Sequence, residues 1–407
     1  MSVASGTPLR RLVTRPGRVG GAGALSAPPH EAERGQGTAL PWYTVAVALA
    51  ATSATIGLIW DVSWHRSIGR DTFWTPAHLA IYLAGVLGGG TSGWLVFKTT
   101  FARGADKSAA ASFWGLRGPF GAWVCIWGAL AMLTSAPFDN WWHNAYGLDV
   151  KVLSPPHVVL GLGLKAVKVG ALLLVGALQN RTRGATNRRL AWVFVYLAGM
   201  VVGGTTVDGV ELTGLPNQWH NATFYEVAAA CFPTALVATA RSARIPWPAT
   251  LAAACYMGVT LVMTWSLPLF PATPRLAPVY NPITHMVAAP FPLVLVAPAM
   301  GLDILVRRFG RGHDALLSMI GGVVFVALML GAHWPFGAFL LSPHARNPLF
   351  GADQWGYSDV HDASRHQFWG VDTDPVTLPT LGLSAVIAAA TIRIGLWLGD
   401  WLARVKR

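Results

Sequence analysis

The chain is 407 residues long, 53% hydrophobic and only 12% charged, with a formal net charge of +12. That much apolar surface against so few charges excludes an ordinary soluble domain and places the chain in the membrane class. The basic excess does not indicate a nucleic-acid partner, because the Lys and Arg residues are dispersed over alternate loops and both tails instead of forming one patch.

Residues 1–40 are rich in Gly, Pro, Ala and Arg and lack an apolar run, which predicts a disordered cytoplasmic tail rather than a cleaved signal peptide. Apolar windows of roughly 20 residues then follow, each enough to cross a hydrocarbon core of about 30 Å. They are 42–60, 75–98, 118–137, 155–178, 190–208, 221–240, 247–269, 283–306, 315–340 and 378–402. The expected fold is an all-α polytopic membrane protein of about ten transmembrane helices, arranged as repeated helix-pair units. Arg10, Arg11, Arg15 and Arg18 precede the first window; Arg103, Lys107 and Arg117 follow the second; Arg181, Arg183, Arg188 and Arg189 follow the fourth. Arg241 and Arg244, then Arg307, Arg308 and Arg311, then Arg404, Lys406 and Arg407 continue the alternation. The positive-inside rule therefore puts both termini in the cytoplasm of an integral membrane protein, with a bacterial inner membrane and its lipid as the expected surroundings. Cys125, Cys231 and Cys255 are far apart and inside windows, so they read as packing residues.

The first window runs into Asp61-Val-Ser-Trp64-His65, and the second opens on Pro76-Ala-His78. The third window runs into Asp139-Asn-Trp-Trp142-His143, and the fourth opens on Pro155-Pro-His157. In each case the carboxylate and histidine at i, i+4 share a helix face, and a short loop returns a second histidine to the same membrane boundary. Two imidazoles and a carboxylate suit copper, zinc or iron and leave open positions for water, oxygen or substrate. Taken singly, these histidines read as interfacial anchors beside the aromatic belt of Trp60, Trp64, Trp74, Trp141 and Trp142. The recurrence of six residues at matched spacing favours the ligand reading, since ionisable groups at membrane depth are expensive and functional. Asp71 and Asp149 follow at matching places, with Gly69 and Gly147. They are expected to accept from a ligand histidine's second N–H, or, for Asp71, to pair with Arg70.

The string Asp61-Val-Ser-Trp-His65-Arg-Ser-Ile-Gly-Arg70-Asp71-Thr72-Phe-Trp-Thr75-Pro76-Ala-His78 closely resembles the metal-site segment of the C subunit of particulate methane and ammonia monooxygenases. That segment is marked by Asp-x-x-x-His, then Arg-Asp-Thr, then Thr-Pro-x-His. The stretch Asp139 to His157 is similar to the family's second ligand set, with Asp139 standing where the family has asparagine and adding a negative charge. The resemblance covers roughly residues 42–180. It implies a copper-dependent membrane monooxygenase with Asp61, His65 and His78 as one ligand set and Asp139, His143 and His157 as its neighbour. It also implies partner subunits of the monooxygenase type and a quinol or periplasmic electron donor. On this reading residues 41–180 form a C-subunit-like metal-binding module, and residues 181–310 add further transmembrane helices as a candidate divergent repeat. Residues 311–407 then form a C-terminal helix pair with a long outer loop at 341–377.

Later positions extend the pattern. His220 and His285 open even-numbered windows as His78 and His157 do, which makes them candidate additional ligands. On the expected topology ten of the twelve histidines fall on the outer side, with only His30 and His313 inside. The loop 341–377 holds Asp359, His361 and His366, a candidate further metal set, a lid or a docking surface. Asp208, Glu211 and Glu226 are weaker candidates for a proton path. Two other function classes compete with the enzyme. A copper-binding or copper-delivery protein without turnover lacks the methionine-rich outer segment that cuprous delivery favours. A haem protein drawing electrons from quinol needs facing histidines, and the paired carboxylates fit a non-haem ion better.

Overall fold

The structure, a computed structural model, describes residues 39–406 apart from 105–106, 108–109, 148–153, 214–219 and 359–373. The helices are α1 Trp42–Ser67, α2 Pro76–Phe101, α3 Phe120–Tyr146, α4 Pro155–Arg181 and α5 Gly184–Thr213. After these come α6 Ala222–Cys231, α7 Pro233–Ser242, α8 Pro248–Ser266, α9 Val296–Phe309, α10 Asp314–Leu340 and α11 Leu378–Leu402. Among the described residues, nine helical stretches are long and apolar enough to cross a membrane, with α6 and α7 together forming one of them. Proline sits in the first turn of α2, α4, α7 and α8, where its missing N–H has no partner to lose. Pro233 also divides α6 from α7. Between α2 and α3 lies a small hairpin of β1 Ala111–Phe113 and β2 Leu116–Gly118. It turns on Trp114 and Gly115, both at positive φ.

The predicted window 283–306 is the exception to the helical reading. Only its second half is helix, the 14 residues of α9. Residues 286–294 are non-helical and mostly buried, because Pro290 and Pro292 have no N–H for a helical ladder. The freed backbone groups find side chains on three other helices. Val287 N–H donates to Ser67 Oγ at 2.8 Å, Leu293 N–H to the Tyr256 hydroxyl at 3.0 Å, and Val294 N–H to His333 Nε2 at 3.1 Å. The Ser63 hydroxyl donates to the Val287 carbonyl. Irregular backbone inside a helical membrane protein is tolerated only where protein groups replace the missing partners, and these do. The expected ten windows thus become nine helical stretches long and apolar enough to cross a membrane among the described residues, and the window 283–306 is not one of them.

Two apolar cores join along the bundle. One gathers α1 to α5, with Val47, Trp123, Leu174, Phe194 and Leu197 at its centre. The other gathers α5 to α11, around Tyr225, Leu236, Leu295, Phe325 and Ile392. The α3–α4 contact is backbone-close. A Cβ at Gly128 would stand 2.8 Å from the Gly163 carbonyl oxygen, and one at Gly170 would stand 2.7 Å from the Gly121 carbonyl oxygen. Small residues spaced seven apart on both helices permit this approach. At the end of the bundle carrying the first residues of α8 and the last of α7, α9 and α11, Arg241 ties helices together. Its guanidinium donates to Asp314 at 2.8 Å, to Asp400 at 3.0 Å and to the Gly310 carbonyl at 2.5 Å.

Candidate metal centre

At the opposite end, α1 runs unbroken through Asp61 and His65, so the pair shares one face of its last turns. The helix stops at Ser67, and Gly69, at φ +84°, takes the left-handed conformation that reverses the chain. Thr72 N–H then donates to Thr75 Oγ1 at 2.8 Å, and Thr75 N–H donates to the Thr72 carbonyl at 3.0 Å. This tight turn starts α2 on Pro76 and returns His78 to Asp61. The device repeats in the next pair. α3 carries Asp139 and His143, and Gly147, at φ +96°, ends it with its N–H on the His143 carbonyl at 2.9 Å. α4 then opens on Pro155 and Pro156 with His157 beside them. The two reversing glycines stand four residues past their histidines.

In the first set, His78 Nε2 lies 3.2 Å from Asp61 Oδ1, and His65 Nε2 lies 4.0 Å from Asp61 Oδ2. Asp71 joins them, its Oδ2 3.4 Å from His78 Nε2 and 3.6 Å from His65 Nε2. In the second set Asp139 uses both oxygens, Oδ2 at 3.4 Å from His143 Nε2 and Oδ1 at 3.3 Å from His157 Nε2. One ligand atom from each of Asp139, His143 and His157 lies within 4.8 Å of the others. The second set is thus the one whose three side chains come close enough together to share an ion.

Asp61 Oδ1 and Asp139 Oδ1 are buried without a hydrogen-bond partner, although an imidazole nitrogen stands 3.2 Å from one and 3.3 Å from the other. The oxygen and nitrogen lie off the N–H direction, as two ligands of one ion do. His285 gives the contrast, its Nε2 bonding Asp353 Oδ2 directly at 3.1 Å. The other ring nitrogens point the same way. His78 Nδ1–H donates to the Thr72 carbonyl at 2.8 Å, and His143 Nδ1–H to the Gly147 carbonyl at 3.4 Å. In a neutral imidazole a proton on Nδ1 leaves a lone pair on Nε2. A lone pair and a carboxylate oxygen this close repel unless a positive charge, a metal ion or the second proton of an imidazolium, stands between them. Backbone carbonyls that fix the tautomer of a ligand histidine are what a transition-metal site requires, and among the described residues Asp139, His143 and His157 are the group whose spacing fits such an ion.

Both sets line one cavity of about 320 Å³. Ile81, Tyr82, Phe73 and Leu160 give its wall an apolar side, while Arg70, Asn140 and Asn144 make the rest polar. His65 is the most exposed of the ligand side chains, at 44%.

The remaining predicted residues lie elsewhere. His220 is buried before α6, where its Nε2–H donates to the Trp334 carbonyl at 3.0 Å and burial pushes its pKa below the ordinary histidine value. His285 does not open a helix. It sits in the irregular stretch before α9, bound to Asp353 and Thr284, and anchors the loop after α10. Neither reaches the cavity lined by the two sets. Asp359, His361, His366 and Asp149 fall outside the described residues, as do the side chains of Asp208 and Glu211. His333, which sequence reasoning passed over, is wholly buried on α10 and supports the irregular segment. Its one signal was a lone histidine inside an apolar window. No family model matches the chain, no curated protein matches it, and no solved structure matches it.

Proposed function

We propose that this protein is a copper-dependent membrane monooxygenase-like protein that activates oxygen and hydroxylates a small substrate of the hydrocarbon or ammonia class. The observation that carries the reading is the shared cavity, which places two Asp/His sets against one partly apolar space. Asp61, His65 and His78 would hold one ion, and Asp139, His143 and His157 the other. Copper bound there supplies the one-electron exchange that oxygen activation requires.

The chain's own groups prepare that space. The Thr72 and Gly147 carbonyls hold the His78 and His143 imidazoles with Nε2 facing the cavity. Phe73, Ile81 and Leu160 offer a small substrate an apolar contact, and the volume suits a small molecule. Basic loops at the opposite end support a cavity on the outer, periplasmic side, with both termini inside. Electrons then come from quinol or a periplasmic donor, and partner subunits of the monooxygenase type supply what this chain lacks for turnover.

The test is quinol-driven oxygen uptake by native membranes that contain the protein with its partner subunits, with ammonia or a short alkane supplied. Uptake that depends on substrate and falls in both His78→Ala and His157→Ala supports the proposal. Uptake unchanged in both variants refutes it.

A further inference from the structure

The two ligand sets repeat in sequence but not in geometry. Among the described residues, Asp139, His143 and His157 are the group whose ligand atoms all lie within 4.8 Å of one another. In the first set Asp61 and Asp71 each come near both histidines, at distances from 3.2 Å to 4.0 Å. Yet no three of Asp61, His65, Asp71 and His78 gather as closely as the second set does. Two carboxylates directed at the same imidazoles repel each other and hold that set open. Asp139 instead turns one oxygen toward each of its histidines, at 3.4 Å from His143 Nε2 and 3.3 Å from His157 Nε2. Its Oδ1 is buried and accepts no hydrogen bond. The second set is also held from behind. His143 is 16% exposed against 44% for His65, and the Gly147 carbonyl faces its Nδ1. The helices that carry the set, α3 and α4, meet backbone to backbone at Gly128 and Gly163.

We propose that the second set is the tight site of the two: it takes the first divalent transition-metal cation in the arrangement already present, and the first set fills only afterwards. This rests on the metal reading of the cavity and adds the order of filling. Two donors at about 2.1 Å from one ion stand at most about 4.2 Å apart. Both Asp139 contacts already meet that span. A gathered set spends little of its binding energy on ordering side chains. The first set must immobilise the exposed His65 and bring two carboxylates together before an ion compensates them. Its second carboxylate does not reverse the order, because Arg70, next to Asp71 in the chain, lines the same cavity and offsets that charge.

The test uses the full chain in native-lipid discs, stripped with a chelator and titrated with cobalt(II), with the visible absorbance of the bound ion as readout. Wild type should show a tight step of one ion per chain, with any further ion binding more weakly. D139N should lose the tight step, its affinity falling by at least on the order of 100-fold, since even an outer partner of a ligand can cost that much. D61N should keep the tight step unchanged. H157A leaves the Asp139 charge in place and should also lose the tight step, which carries the test if D139N does not assemble. A tight step that survives D139N or H157A, or that disappears in D61N, overturns the order of filling and leaves the metal reading standing, as do two steps of equal affinity. Wild-type protein that binds no cobalt overturns both this inference and the metal reading beneath it.

Discussion

Replacing Gly128 by alanine perturbs the site without touching a ligand. The added Cβ would stand 2.8 Å from the Gly163 carbonyl oxygen and 2.8 Å from Val167 N, both backbone atoms that cannot rotate away. That is about 0.6 Å short of ordinary contact, so α3 must move off α4 by that amount. If α3 pivots at its next contact, Gly121, the lever arm from pivot to substitution is about 10 Å and from pivot to Asp139 about 27 Å. The displacement at Asp139 is then about 1.5 Å. The Asp139–His157 contact, now 3.3 Å, would open to nearly 5 Å. Two donors at about 2.1 Å from one ion cannot be more than about 4.2 Å apart, so one ligand is lost. Overpacking should destabilise the protein by about 1–3 kcal/mol. Metal affinity of the second set should fall on the order of 100-fold. The first set should be unaffected, because it depends on the α1–α2 contact that Ser53 Oγ makes to the Ala80 carbonyl at 2.6 Å. Cobalt titration beside a thermal melt reads both effects. A variant that is destabilised yet keeps full affinity in the second set would refute the lever argument.

Other perturbations separate the scaffold from the site. His333→Leu leaves Val294 N–H buried without its acceptor and should lower stability by about 1–3 kcal/mol, whereas His333→Gln, which keeps an acceptor, should recover much of it. Denaturant melts in lipid discs check this. Arg241→Ala removes one of two arginine partners from each of Asp314 and Asp400 at the far end of the bundle and should cost about 1–3 kcal/mol of stability with unchanged metal stoichiometry. A stability loss accompanied by loss of metal would show that the two ends are coupled.

Much of this arrangement was legible in the sequence. Apolar windows located the spans, the prolines marked helix starts, and the spacing Asp61-His65-His78 and Asp139-His143-His157 identified the side chains that now face each other. These signals are local, set by helix periodicity and by short loops. The window 283–306 misled because composition cannot see that Pro290 and Pro292 empty the helical ladder, nor that Ser67, Tyr256 and His333 refill it from distant helices. His220 and His285 repeated the heading position of His78 and His157 but lacked a carboxylate four residues from a partner histidine, and their neighbours are Trp334 and Asp353. Asp71 was visible as part of a repeat but its side chain direction depends on the reversal at Gly69. The single cavity shared by both sets required the packing of four helices, which no spacing encodes.

The central claim is that the two Asp/His sets hold metal. Metal analysis of protein purified in native lipid, without chelator, addresses it most directly when wild type is measured beside a His65→Ala, His78→Ala double variant and a His157→Ala variant. Wild type should carry copper at both sets, the double variant should lose only the first share and His157→Ala only the second. Wild-type protein free of copper, or variants that retain all of it, would contradict the account.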